Sequence, residues 1–190
     1  MSSNKPMSLS RYRCSAEQTL LMLPPPTALQ PIIFLIAIKT MFNLEFYNET
    51  KEPIDETVFI ELLDIINTDY KTLLPDTIDK RKKYLISCTL VDDEIMQTIN
   101  KQHRGKNKTT DVISLGYLEQ NDFPGNNVAG EIFISLPTAK KQAKQAGHDP
   151  LTEVRFLFVH GVLHILGYEH QEEKDFKIMM DLTNHILALK

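Results

Sequence analysis

The stretch from Asp149 to Leu166 constrains the fold more than any other part of this chain. Asp149-Pro150 reads as an N-cap followed by the first helical position. From there Leu151, Val154, Phe156, Leu157, Phe158, Val159, Val162, Leu163, Ile165 and Leu166 predict a helix that is apolar nearly all round. A helix with no wet face belongs in the centre of a domain. Gly167, best suited to a left-handed turn, is expected to end it.

Into this helix the chain sets histidines. His160, His164 and His170 fall within eleven residues, three of the six in the whole chain. His160 and His164 are four apart, so on a helix they share a face one turn apart. The turn at Gly167 would swing His170 back toward them. Three neutral imidazoles around one ion, with a fourth position open, is the arrangement of catalytic zinc, not of closed structural zinc. Burial disfavours imidazolium and keeps such rings ready to ligate. We therefore expect one Zn2+ per chain on His160, His164 and His170. Long-motif zinc peptidases share these offsets but carry Glu directly after the first His as general base. Here that position is Gly161, so a peptidase would lack its base. Glu169 is the nearest carboxylate, and it follows the turn.

A second cluster lies between residues 100 and 111. Lys101, Arg104, Lys106 and Lys108 are four cations in eight residues. Charge runs of this kind are often solvated loops. The functional alternative is a phosphate clamp, in which Arg offers a planar fork and Lys adds point charge. The background makes the cluster stand out. The chain carries −4, but Lys5, Arg11, Arg13 and Lys39 against Glu17 make residues 1–40 positive, which leaves the remaining 150 residues at −7. So acidic a domain is a poor general binder of nucleic acid, and a polyanion must be met locally. Lys140, Lys141 and Lys144 form a second basic stripe on a helix. His103, His148 and His185 lack ligand spacing and are read as surface or packing residues.

Residues 1–40 differ from the rest. They hold five of the ten prolines, including Pro24-Pro25-Pro26, and the apolar run Ile32–Ile38 is seven residues long, too short to span a bilayer. The upstream prolines and the missing small-residue cleavage site argue against a signal peptide. The expectation is a loosely ordered N-terminal extension, which could lie upstream of the authentic start, followed by one domain over 41–190. Cys14 and Cys88 form no Cys-x-x-Cys pattern, so no disulfide framework is expected, and a cytoplasmic location fits.

Along that domain, strands are expected over 42–48, 84–91, 111–115 and 131–135. Helices are expected over about 55–74, after Asp92 as cap with Ile95, Met96 and Ile99 inward, and from Pro137 to Gly147. The histidine helix follows, then a helix over about 172–189 with Phe176, Met179, Met180 and Leu187 on one side. Strands and helices are interspersed, as in an α+β or α/β sandwich. Of these we take α+β: a single domain with a small mixed four-stranded sheet, about five packed helices, and the histidine-bearing helix central.

The two clusters together resemble the YbeY family of bacterial rRNA endonucleases, whose signature is His-Gly-x-Leu-His-Leu-x-Gly-Tyr-Asp-His. This chain has His160-Gly161, Leu163-His164, Gly167-Tyr168 and His170, with Ile165 for Leu and Glu169 for Asp. A second family stretch, Asn-x-x-x-Arg-Gly-x-x-x-x-Thr-Asp-Val-Leu-Ser-Phe-Pro, is matched from Asn100 to Ser114, with Leu115-Gly116 in place of Phe-Pro. A third, Gly-Asp-Ile-x-Ile-Ser, is matched by Gly130-Glu131-Ile132 and Ile134-Ser135. The resemblance covers roughly 41–190. It implies a zinc-dependent single-strand endoribonuclease of 16S rRNA 3′-end maturation and ribosome quality control. It also implies Arg104 as the functional arginine, with 16S precursor RNA, the small ribosomal subunit and assembly factors as partners. The catalytic set is then Arg104 and a water on the zinc, with no protein base assigned, while Lys101, Lys106 and Lys108 would meet RNA phosphates. Neither a membrane nor a nucleotide cofactor is expected. The competing readings are a zinc hydrolase of peptides or small molecules and a ribosome-associated binding protein with a structural metal.

Overall fold

The computed structural model describes residues 41–74, 79, 81–118, 127–169 and 172–188. The expectation for residues 1–40 lies outside them. The elements in chain order are β1 (Phe42–Asn48), α1 (Thr57–Leu73), β2 (Tyr84–Val91), α2 (Asp93–Arg104), β3 (Val112–Gly116), β4 (Val128–Ser135), α3 (Leu136–Ala146), α4 (Pro150–Ile165) and α5 (Glu173–Ala188).

The strands form one four-stranded sheet in the order β1-β2-β4-β3. β1 pairs β2, and β2 pairs β4, in parallel, with Phe46 opposite Cys88 and Cys88 opposite Ile132. β3 runs antiparallel to β4, Val112 opposite Ile134 and Gly116 opposite Gly130. The sheet is therefore mixed, and with five helices around it the α+β expectation holds.

Alternation along the strands gives the sheet two apolar faces. Ile86, Cys88, Leu90, Ile132 and Ile134 face the main core with α1, α4 and α5 residues such as Phe59, Phe158 and Met179. Cys88 is fully buried there, and burial pushes its thiol pKa up. From β1 through α1 to α4, Phe46 stacks on Phe59 at a centroid distance of 4.9 Å, and Phe59 meets Phe158 edge to face at 5.1 Å. Ile113 and Val91 face the other way, onto Met96 of α2, with Leu115 and Phe133 beside them. Hence α2 and α4 lie on opposite sides of the sheet. α4 touches α1, α3, α5, β3 and β4, as an all-round apolar helix requires. The buried amide of Asn67 on α1 accepts from the Met41 and Phe42 N–H groups at 3.0 and 2.8 Å and donates to the Phe42 carbonyl at 3.0 Å, fixing the start of β1.

Three local expectations need correction. Asp92 is the N-cap of α2, but its side chain makes no capping hydrogen bond. Ile95 is 42% exposed, so only Met96 and Ile99 of the expected trio turn inward. Phe176 is 51% exposed; Met179 of the expected side is buried and Leu187 packs against the core, with Thr183 and Ile186 buried beside them.

Candidate metal centre and cationic loop

Both ends of α4 are built by the residues that the sequence supplies for the purpose. The Asp149 carboxylate accepts from the Leu151 N–H at 2.7 Å, and Pro150 fills the first turn without wasting a donor. At the other end the Tyr168 N–H donates to the Leu163 carbonyl at 3.0 Å while Gly167 takes φ 91°. That six-residue closure around a left-handed glycine is a Schellman cap. It redirects the chain just before His170, which lies outside the described residues.

His160 and His164 are half-buried on α4, their ring centroids 4.8 Å apart and their planes at 88°. Phe156, one turn earlier, stacks on His160 at 5.7 Å with planes 14° apart. Packing thus orients the imidazoles in advance of any ligand. Two imidazoles one turn apart on a rigid helix are a donor pair of the kind zinc takes. Among the described residues no three His, Cys, Asp or Glu side chains gather as a metal-binding group; the trio read from the sequence needs His170.

Gly161 faces away from this pair. A Cβ there would lie 3.0 Å from Ser114 Oγ and 3.1 and 3.2 Å from two carbons of Ile132. The helix rides so close to β3 and β4 that position 161 has no room for glutamate. A carboxylate there would point into the sheet instead of toward the imidazoles. The absence of a peptidase base is thus tied to packing. Gly130 extends the same close approach, since a Cβ on it would meet the Leu115 carbonyl at 2.5 Å and Ile165 Cγ1 at 2.7 Å.

The cations gather around the C-terminal end of α2. Lys101 and Arg104 sit in the last turn of α2, and Lys106 and Lys108 on the loop after it, all exposed. Gly105 takes φ 69°, and the Gly105 and Lys106 N–H groups close back on the Lys101 and Asn100 carbonyls at 3.2 and 3.3 Å. This cap sends the chain from α2 around to β3, the edge strand whose Ser114 lies against Gly161. β3 thus links the two groups: the cationic loop leads into it, and its Ser114 lies against Gly161 of the histidine helix.

Other residues singled out by sequence fall elsewhere. Lys140 grips both Glu52 carboxylate oxygens at 2.7 Å, while Lys141 and Lys144 are exposed. His103 and His185 are exposed. His148 lies 3.0 Å from Glu153, whose carboxyl is pushed up by burial, with His148 pulling down and Asp111 adding to the rise.

Two aspartates escaped the sequence reading. Burial would raise Asp111, but hydrogen bonds from Gln142 (2.9 Å), the Val112 N–H (2.8 Å) and Thr110 (3.0 Å) outweigh it and hold the carboxyl below its ordinary range. Asp93 behaves alike: burial is overcome by the hydroxyls of Ser135, Thr138 and Thr109. Asp111 stood inside a quoted motif. Asp93 gave no local signal, because two of its three partners are more than forty residues away.

Among the described residues no helix is long and apolar enough to cross a membrane. The family profile described as Endoribonuclease YbeY matches residues 47–189. Endoribonuclease YbeY of Carboxydothermus hydrogenoformans is 37% identical over 140 residues, which cover 74% of this chain and 91% of that protein. Its namesake from a Geobacillus species is 36% identical over 154 residues, covering 77% and 95%. A Thermotoga maritima protein solved in solution shares the fold, with TM-score 0.50 and 19% identity over 77% of this chain and 90% of that one. With most of the chain matched by the profile and by relatives above a third identity, the protein belongs to the endoribonuclease YbeY family.

Proposed function

We propose that this protein is a zinc-dependent single-strand endoribonuclease that acts in 16S rRNA 3′-end maturation and ribosome quality control in the cytoplasm. Its substrate is then 16S precursor RNA, met on or near the small ribosomal subunit and its assembly factors. The observation that carries the metal part is the His160–His164 pair, one turn apart on a buried helix with centroids at 4.8 Å. The RNA part rests on the family and on four exposed cations confined to one short stretch.

In this reading His160, His164 and His170 hold one zinc ion. When bound, zinc supplies a Lewis acid and brings water ionisation close to neutral pH. Arg104 places its planar fork against the phosphoryl oxygens and stabilises the charge that grows on them. Lys101, Lys106 and Lys108 bind flanking phosphates, so affinity falls as salt rises. No side chain at position 161 takes a proton, because the sheet fills that space. The same crowding counts against a peptidase, whose base belongs there.

The decisive experiment incubates purified protein of measured zinc content with 16S precursor RNA and with a peptide mixture, each with and without chelator. Chelator-sensitive cleavage of RNA alone is the expected result. Cleavage of peptide alone, or RNA cleavage that chelator leaves untouched, would overturn the reading.

A further inference from the structure

Three side chains of α2 tie down the loop that follows it. Asp93, Gln97 and Asn100 are spaced four and three apart, so they form one stripe along the helix. Asn100 Nδ2 donates to the Lys108 carbonyl at 2.7 Å. Gln97 Nε2 donates to the Asn107 carbonyl at 3.2 Å. Asp93 accepts from the Thr109 hydroxyl at 3.1 Å. The chain thus doubles back from Gly105 and runs along the helix it has just left.

The anchors are themselves held. Asp93 also accepts from Ser135 and Thr138, where β4 passes into α3. Asn100 is 2% exposed, and its Oδ1 is buried with no hydrogen-bond partner among the described residues. A half-satisfied amide in a buried place is costly, and an apolar residue would serve packing better. Its NH2 group, however, is what reaches Lys108. Lysines on a free loop would lose chain and side-chain entropy each time they closed on a phosphate, and they repel one another. A loop already fixed avoids most of that loss.

We propose that Asp93, Gln97 and Asn100 are positioning residues that hold Lys106 and Lys108 in a preformed arch for the phosphates of single-stranded RNA. This rests on the endoribonuclease reading above. It separates a built phosphate cradle from a solvated basic loop, which composition alone leaves open.

The test uses the full chain and keeps its net charge of −4 unchanged. Thr109→Val removes the donor to Asp93 at nearly constant volume, Thr109→Ser keeps it, and Gln97→Ala removes the second tie. Thr109 is on the surface, so these changes spare the core; Asn100→Ala is added if it folds. Hydrogen exchange at the Lys106 and Lys108 amides reads the arch. Affinity for a short, uncleavable 2′-O-methyl single strand reads its use, and zinc content serves as control. The double variant T109V/Q97A should exchange these amides roughly tenfold faster and bind the strand about tenfold more weakly, with zinc unchanged. Thr109→Ser should stay within about twofold of wild type on both measures. Unchanged exchange in the double variant, or faster exchange with undiminished affinity, would overturn the proposal alone. Wild-type protein that binds no RNA would overturn both this proposal and the reading beneath it.

Discussion

Replacing Gly130 by alanine puts one methyl group where three atoms already stand. Its Cβ would lie 2.5 Å from the Leu115 carbonyl oxygen and 2.7 and 2.8 Å from Ile165 Cγ1 and Cδ1. The first distance is roughly 0.8 Å inside the closest ordinary C···O approach of ~3.3 Å. Leu115 contributes backbone, which cannot swing aside, so β3 must shift from β4 or α4 must lift. Overpacking by one carbon costs about 1–3 kcal/mol. The entropy alanine removes from the unfolded chain returns only about 0.4–1 kcal/mol. The middle of the two ranges leaves a net loss of about 1.3 kcal/mol, or a Tm lower by roughly 3–5 °C for a chain of this size.

Gly161→Ala is the internal comparison. Its nearest neighbours, at 3.0–3.2 Å, are the Ser114 hydroxyl and methyls of Ile132, side-chain atoms that can rotate. In a helix interior alanine also gains about 1 kcal/mol over glycine, so the net loss should stay under about 1 kcal/mol. Thermal and urea unfolding of both variants measures the difference. Gly130→Ala as stable as wild type, or less damaging than Gly161→Ala, would refute the claim that α4 is seated against the β3–β4 pair through its glycines.

His164→Ala should lose both bound zinc and RNA cleavage, read by metal analysis and a gel assay; zinc retained at wild-type stoichiometry would remove His164 from the ligand set. Arg104→Ala should keep its zinc and lose at least about tenfold in cleavage rate, the scale of one lost contact to a charged transition state; unchanged cleavage would remove Arg104 from the mechanism. Asp111 makes a pH prediction. Its carboxyl is held below the ordinary range in the folded protein, so it adds stability above the unfolded-state pKa, and that stability is lost as pH falls through the folded value. The urea midpoint of wild type should therefore drop toward that of Asp111→Asn as pH falls below about 4. Parallel curves for the two proteins would show that the carboxylate has no such role.

Much of the fold was legible because its signals are local. Asp149-Pro150 and Gly167 mark the ends of α4, Gly147 ends α3, and alternation marks β1, each set by a residue's own backbone preference. The family was legible in the spacing of histidines and glycines. What stayed hidden depends on contacts remote in sequence. Asp92 is the N-cap that its position marks, but nothing near Asp92-Asp93 says that the second aspartate is claimed by Ser135 and Thr138. Nothing near Gly161 says that its hydrogen faces Ser114. Helical spacing sets Phe176 on the side of Met179, but tertiary packing covers only the part of that side from Met179 onward and adds Thr183 and Ile186 to it. That α2 and α4 occupy opposite faces follows from which strand residues pack on each, and those contacts join segments that no short window contains.

The thiol of Cys88, sealed at the middle of β2 with its ionisation suppressed, gives the protein an internal clock. A thiol-reactive probe reaches it only while the sheet is open, and only the thiolate reacts. In a Cys14→Ser background, the rate of labelling at Cys88 therefore counts excursions of the domain's centre, residue by residue silent everywhere else, and can be followed as zinc or RNA is added.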